Sequence, residues 1–164
     1  METNPGGRLV ALCLHIGWGI FAARRRLHQI VTSSTPSVIP DDYASLLDRP
    51  LYGHLGTIRP DDTVQVNPMW FEFDGKHLRF THTNKRAKFR NLQHNPAMSL
   101  SIIDPDDQFR YLELRGKLVD VEPDPTGAFY VRLGRRYGNA EQQPPPDSAD
   151  RVVLVMSIEK STKQ

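Results

Sequence analysis

From residue 38 onward the sequence alternates apolar and polar positions in short runs separated by turn-forming residues. Pro40 suits the first turn of a helix, and Asp41 and Asp42 suit its positive N-terminal end. Tyr43, Leu46 and Leu47 fall on one face, so a short helix is expected to about Asp48, ended by Pro50. The period then becomes two. Leu51 to Ile58 reads as a first strand, Arg59 to Asp62 as a turn, and Thr63 to Phe73 as a second strand in which Pro68 requires an edge position or a bulge. Asp74-Gly75 is a hairpin signal, and Lys76 to Thr83 is the third strand. A helix is predicted over Lys85 to Gln93, with Thr83 or Asn84 as N-cap and Asn95-Pro96 as its stop. Ala97 to Ile103 and Tyr111 to Val121 are the fourth and fifth strands, joined by the polar loop Asp104 to Asp107, and Gly116 is expected to mark a bulge or bend. Phe129, Tyr130, Leu133 and Tyr137 share a helix face, which predicts an amphipathic helix over Pro125 to Tyr137. A proline-rich loop, Gly138 to Asp150, leads to a last strand, Arg151 to Ile158. Six strands with short flanking helices, joined by connections too short for parallel crossovers, predict a mainly β fold: a six-stranded antiparallel barrel.

The N-terminal segment breaks this pattern. Leu9 to Ala23 is an apolar run followed by Arg24-Arg25-Arg26. It is short of the roughly 20 residues of a membrane span, and its positive cluster follows the apolar run rather than preceding it as in a secretory signal. Residues 1–36 are read as an extension, disordered or outside the native protein with Val31 as an alternative start. A weak membrane-surface anchor is the second reading, and stable membrane insertion is not expected. Residues 37–164 form the folded domain. The chain has 21 basic and 19 acidic residues, but the segment before Asp41 holds four arginines against Glu2 alone, leaving seventeen basic against eighteen acidic in the body. Strong electrostatic attraction to nucleic acid is therefore not expected of the body, despite Trp70, Phe80 and Phe109 as stacking candidates. The single cysteine, Cys13, excludes an internal disulfide framework and a cysteine-based zinc site, and a reducing, cytoplasmic setting is the default.

The nucleophile-elbow, phosphate-loop and zinc-protease motifs are all missing from the sequence. His54, His77, His82 and His94 read as surface or half-buried side chains rather than a metal site. The informative stretch is Phe80 to Leu100. A strand delivers Thr81 and Thr83 to one face, and the following helix carries Lys85, Arg86, Lys88 and Arg90 in its first turns, where cations oppose the helix dipole. Hydroxyls, free helix amides and cations together make an anion site; the competing reading is a solvated basic face.

The order Thr83, Arg86 or Ala87, Lys88, Asn91-Leu92 and Pro96 resembles the flavin- and deazaflavin-binding split barrel of the pyridoxamine-phosphate-oxidase-like superfamily. Gly56-Thr57 and Val66 to Phe71 upstream, and Asp104 to Asp107 with Tyr111 and Gly116 downstream, resemble its neighbouring segments, so the likeness runs from about Asp41 to Ile158. The helix resembles most the branch that binds coenzyme F420, a deazaflavin with a phosphate and an oligoglutamate tail. The resemblance implies an FMN-binding-type split barrel over residues 37–164. It implies an F420-dependent oxidoreductase passing hydride between reduced deazaflavin and a small unsaturated substrate, with FMN chemistry or non-enzymatic cofactor binding as alternatives. Arg86 and Lys88 would hold the phosphate, Thr81 and Thr83 would hydrogen-bond nearby, and Lys85 or Arg90 would reach the tail. Val66, Asn67, Pro68 and Met69 would line the ring. Asp106, in the Asp104–Asp107 loop, would approach from the partner in a homodimer with the cofactor at the interface. The sequence departs from the pattern at Ala87, and its C-terminal segment lacks the R-x-H element of true pyridoxamine phosphate oxidases. No catalytic residue is assigned; Tyr111 and His54 are the proton donors considered.

Overall fold

The computed structural model describes residues 38–164. The expectations for residues 1–36, including the apolar run and Cys13, lie outside the described residues. Pro40 precedes a single 3-10 turn, Asp41–Tyr43, and α1 follows at Ser45–Asp48. Tyr43, Leu46 and Leu47 are buried, as their shared face predicts.

Eight strands follow among the described residues: β1 (Gly53–Ile58), β2 (Val64–Met69), β3 (Glu72–Phe73), β4 (Leu78–Thr83), β5 (Ala97–Asp104), β6 (Asp107–Pro123), β7 (Arg151–Met156) and β8 (Lys160–Lys163). Two longer helices, α2 (Ala87–His94) and α3 (Ala128–Arg136), lie between them. All pairings are antiparallel, in the order β2-β1-β5-β6-β7-β4-β3, with β8 beside β6. The long strand β6 joins the two halves: its first part pairs with β5 and its last part with β7. The path is open at both ends, the arrangement of a split β-barrel.

The count exceeds the expected six for two reasons. The run Thr63 to Phe73 divides after Met69, because Phe71 turns fully into the core while Trp70 stays half-buried. The strand β8 is polar, held to β6 by backbone pairing, and carries no alternating apolar signal. Pro68 does lie on an edge strand, and Gly75, with φ of 94°, sits in the Asp74-Gly75 hairpin. The helix expected over Lys85 to Gln93 begins two residues later, with Arg86 rather than Thr83 or Asn84 at the N-cap; the Thr83 hydroxyl instead accepts the amide of Lys85. Gly116 is not a bulge. It pairs regularly with Met98, and the register shifts fall at Ile103/Asp104 and Leu118/Asp120.

Two apolar clusters hold the strands. The main core gathers Leu46, Leu55, Phe71, Phe80, Leu100, Leu114 and Leu154 between the two halves of the sheet. A smaller cluster, Phe129, Leu133, Val153 and Val155, seats α3 on the other face of β4 and β7. Both faces of β7 are therefore covered, which is why its six residues are all buried and read as one continuous apolar run.

Candidate functional site

A cavity of about 650 Å³ opens where β2, the end of β4, the start of α2, the start of β7 and α3 meet. One end is cationic. Lys88 is 3% exposed, and its ammonium donates to the carbonyl of Leu55 (3.5 Å) and to Oδ1 of Asn67 (3.2 Å). An ammonium has three protons, so one is left for the cavity. Burial lowers the Lys88 pKa from 10.5 to about 8. Its setting follows from local structure. Lys88 and Asn91 are three residues apart and share a helix face. The Asn91 amide donates to Gln65 (2.8 Å) and to the Thr57 hydroxyl (3.3 Å), and Gln65 donates to Asn67 (3.0 Å). This chain of side-chain bonds, rather than a backbone contact of Asn91, ties α2 to β1 and β2 and aims the ammonium.

Arg86 and Arg151 complete the cationic end. The Arg151 guanidinium is buried; it donates to Asp147 (2.9 Å) and to the Thr81 hydroxyl (3.3 Å), and lies over the Tyr130 ring at 4.6 Å. Asp147 also pairs with Arg86 at 3.4 Å. With Asp147 counted, the three cations leave a net charge of plus two. The helix itself adds to this. No side chain caps α2 and its first turn holds no acid. Among the described residues the amides of Ala87 and Lys88 have no acceptor. His82 lies on the same wall, buried, with Nε2 unpartnered. Burial first, then the charges of Lys88, Arg86 and Arg151, lower its pKa from 6.5 to about 4, so the imidazole is neutral near pH 7.

Tyr52, Trp70 and Tyr130 supply the aromatic lining, with the Tyr130 ring against the Arg151 guanidinium. Trp70 stacks on Tyr137 with centroids 5.3 Å apart, and Tyr130 tilts against Trp70 at 5.8 Å. Tyr137 is itself pinned: its hydroxyl accepts the amide of Phe71 (3.1 Å) and donates to the carbonyl of Leu51 (2.7 Å). The edge strand β2 supplies Asn67, Pro68 and Met69 to the lining. Clustered cations, free helix amides and aromatic rings in one cavity fit a ligand that joins an anionic group to a planar ring.

Of the residues expected from the sequence, Asn67, Pro68, Met69, Thr81, Arg86 and Lys88 line this cavity. Val66, Thr83, Lys85 and Asp106 do not. Val66 points outward and is 56% exposed, Thr83 is buried, Lys85 pairs with Asp150 (3.4 Å), and Asp106 pairs with Arg49 (2.8 Å). His54 lines a second cavity beside Asp104, and Tyr111 lines neither. His82 is buried, against the expectation of a surface or half-buried side chain, because it alternates along β4 with the core residues Leu78 and Phe80. Gln65, Tyr52, Trp70, Tyr130 and Arg151 were not in the expected site. Of these, Trp70 alone carried a signal, as one of an adjacent aromatic pair that cannot both face the core. Among the described residues no helix is long and apolar enough to cross a membrane, and no cluster of His, Cys, Asp and Glu could hold a metal.

Fold and cavity together describe a split β-barrel whose described residues enclose a cleft lined by three cations and three aromatic rings. A family model described as pyridoxamine 5'-phosphate oxidase matches residues 39–164, and the chain belongs to that family. A solved structure described as an F420 reductase is 57% identical, covering 77% of this chain and 100% of its own, with a TM-score of 0.75. A conserved hypothetical protein from Mycobacterium tuberculosis (22% identity, TM-score 0.62, 76% of this chain and 84% of its own) and general stress protein 26 from Bacillus anthracis (17%, 0.56, 73% and 88%) share the fold. No curated protein matches the sequence.

Proposed function

We propose that the chain is an oxidoreductase that uses coenzyme F420 to reduce a small unsaturated substrate. The observation that carries this reading is the cleft itself: three cations and two free helix amides in one cavity with the aromatic rings of Tyr52, Trp70 and Tyr130. The 57% identity to a protein described as an F420 reductase favours the deazaflavin over FMN.

In this reading Arg86, Lys88 and Arg151 neutralise the cofactor phosphate, and the amides of Ala87 and Lys88 bind it at the helix end. Asn67, Pro68 and Met69 line the ring, Thr81 holds Arg151 in place, and Lys85 and Arg90 lie outside the cleft where a glutamate tail would emerge. When bound, the cofactor supplies the hydride chemistry. The protein orients it, excludes water with Trp70 and Tyr130, and holds the positive charge fixed before binding. Titrating the full chain with oxidised F420 and with FMN, followed by fluorescence, tests this. Saturable F420 binding tighter than FMN, with oxidation of reduced F420 by an activated enone, is the expected result. Preference for FMN moves the function to flavin chemistry, binding without turnover makes the protein a carrier, and binding of neither overturns the reading.

We propose further that the protein works as a homodimer with the cofactor at the interface. Val64, Val66 and Phe109 are 63%, 56% and 79% exposed, and a second copy would cover them and bring Asp106 to the cleft. Sedimentation equilibrium is expected to give twice the chain mass, and Phe109→Asp a shift to monomer. A monomeric parent chain would remove this part of the reading.

A further inference from the structure

We infer that Asp147 sets the charge preference of the cleft, favouring a singly charged phosphodiester over a doubly charged phosphomonoester. The inference rests on the cofactor reading above and deepens it by naming a residue that separates F420 from FMN. In F420 the phosphate links the ring-bearing chain to the tail, so it is a diester with one charge. In FMN it is a terminal monoester, mostly doubly charged at pH 7. Among the described residues no aspartate or glutamate lines the cavity, and Asp147 is the only carboxylate paired with its cations. Its Oδ1 accepts Nε–H of Arg151 at 2.9 Å and lies 2.8 Å from Nη2, while its Oδ2 accepts Nη2–H of Arg86 at 3.4 Å. Arg86 and Arg151 both line the cavity, so the carboxylate stands one guanidinium away from an anion that meets them.

The carboxylate is held from its backbone. Ser148 N–H donates to Pro145 O (3.0 Å), Asp150 N–H to Asp147 O (3.1 Å) and Asn84 N–H to Asp150 O (3.1 Å), which ties the proline-rich segment to the end of β4. Pro145 packs against the turn before α3, where a Cβ on Gly127 would meet it at 2.9 Å. The buried Arg151 guanidinium needs a counter-charge, and Asp147 supplies one before any ligand arrives. Fixed in this way, the carboxylate stays in place on binding and repels the incoming anion across the guanidiniums. Coulomb energy scales with the ligand's charge, so a dianion is penalised twice as much as a monoanion and the factor in affinity is squared. The Asp147 side chain is partly exposed, which limits the penalty to about threefold in affinity per ligand charge.

The test titrates the full parent chain, Asp147→Asn and Asp147→Glu at pH 7 with three ligands that share one ring: the deazaflavin alcohol without phosphate, its phosphomonoester and its methyl phosphodiester. Asn keeps an acceptor for Arg151 Nε–H and removes the charge, whereas Glu keeps the charge. Asp147→Asn is expected to tighten the diester about threefold and the monoester about tenfold, and to leave the alcohol within about twofold. Asp147→Glu is expected to keep the parent ratio of monoester to diester affinity. Equal changes for monoester and diester, a larger gain for the diester, or no change overturns the inference. Weakening of all three ligands also overturns it, since Asp147 then only holds the loop. If Asp147→Asn does not fold, Asp147→Ser takes its place with the same expectations, and nitrogen NMR of Arg151 in the parent chain decides beside it. There Nε–H is expected to keep its bond to Asp147 when F420 binds; loss of that bond overturns the inference, because a displaced carboxylate cannot select. Parent chain that binds no phosphate-bearing ligand overturns the cofactor reading and this inference with it. Parent binding with a charge preference insensitive to Asp147 overturns this inference alone.

Discussion

Replacing Lys88 by methionine is expected to weaken cofactor binding by about 3 kcal/mol, a factor of roughly a hundred, without destabilising the fold. The two halves of this result have one cause. The ammonium is 3% exposed and bonds only to a carbonyl and an amide oxygen, with no carboxylate beside it. An uncompensated buried charge opposes folding, and methionine of similar length removes that opposition while keeping the packing. Binding loses because the ammonium is the most deeply placed cation in the cleft. The pH dependence follows in sign. Lys88 holds its proton to about pH 8 in the native chain and to about 10.5 when unfolded. Cofactor affinity therefore falls as pH rises past about 8. Stability of the free protein rises between about pH 8 and 10.5, since the unfolded chain still binds a proton that the native chain has released. In Lys88→Met both dependences vanish. Fluorescence titrations and denaturant melts below pH 8 and near pH 10 check them; parent affinity in the variant would show that the ammonium plays no part in binding.

Gly116→Ala is expected to destabilise the protein by about 3 kcal/mol, lowering Tm by roughly 10 °C for a domain of this size. A Cβ at this position would lie 1.9 Å from the carbonyl oxygen of Ser157 and 2.7 Å from its carbon. Backbone cannot swing aside as a side chain can. Here it is held on both sides, by Ser157 N–H to Lys117 O (2.9 Å) and Glu159 N–H to Arg115 O (2.9 Å). Relief requires breaking the segment that carries β7 into β8. Thermal unfolding followed by circular dichroism checks this, and a melting curve matching the parent would show that the chain moves apart at low cost.

The parts of the molecule legible in the sequence are those specified locally. Period-two patterning placed the strands, Pro68 called for an edge or a bulge, and the cations Arg86 and Lys88 were readable at the start of the helix. What escaped depends on pairing across the chain. Arg151 enters the cleft because β7 pairs with β4 in a register that sets it opposite Thr83, sixty-eight residues earlier in the sequence. Tyr130 is one turn-position from the buried Phe129, and periodicity alone does not say which of two adjacent aromatic rings meets the cavity. His82 was indistinguishable from the other histidines until β4 took its place in the core, which buries every second residue from Leu78. Gly116 was read as a bend, and the carbonyl that requires it comes from Ser157, again a distant partner. Val66, Thr83 and Lys85 lie outside the cleft of their own chain, since a motif specifies which positions follow one another and not which side of the strand or loop faces inward, and Asp106 was expected only from the partner.

The bare N-terminus of α2 has one more consequence. With no capping side chain and no acid in its first turn, this eight-residue helix is unfinished at one end in the free protein. An anion seated there acts as the missing cap, so ligand affinity and helix cohesion become a single quantity. The amides of Phe89, Arg90 and Asn91 should then exchange with solvent more slowly in proportion to occupancy, which would make the protein's own backbone a gauge of cofactor loading, readable without any turnover.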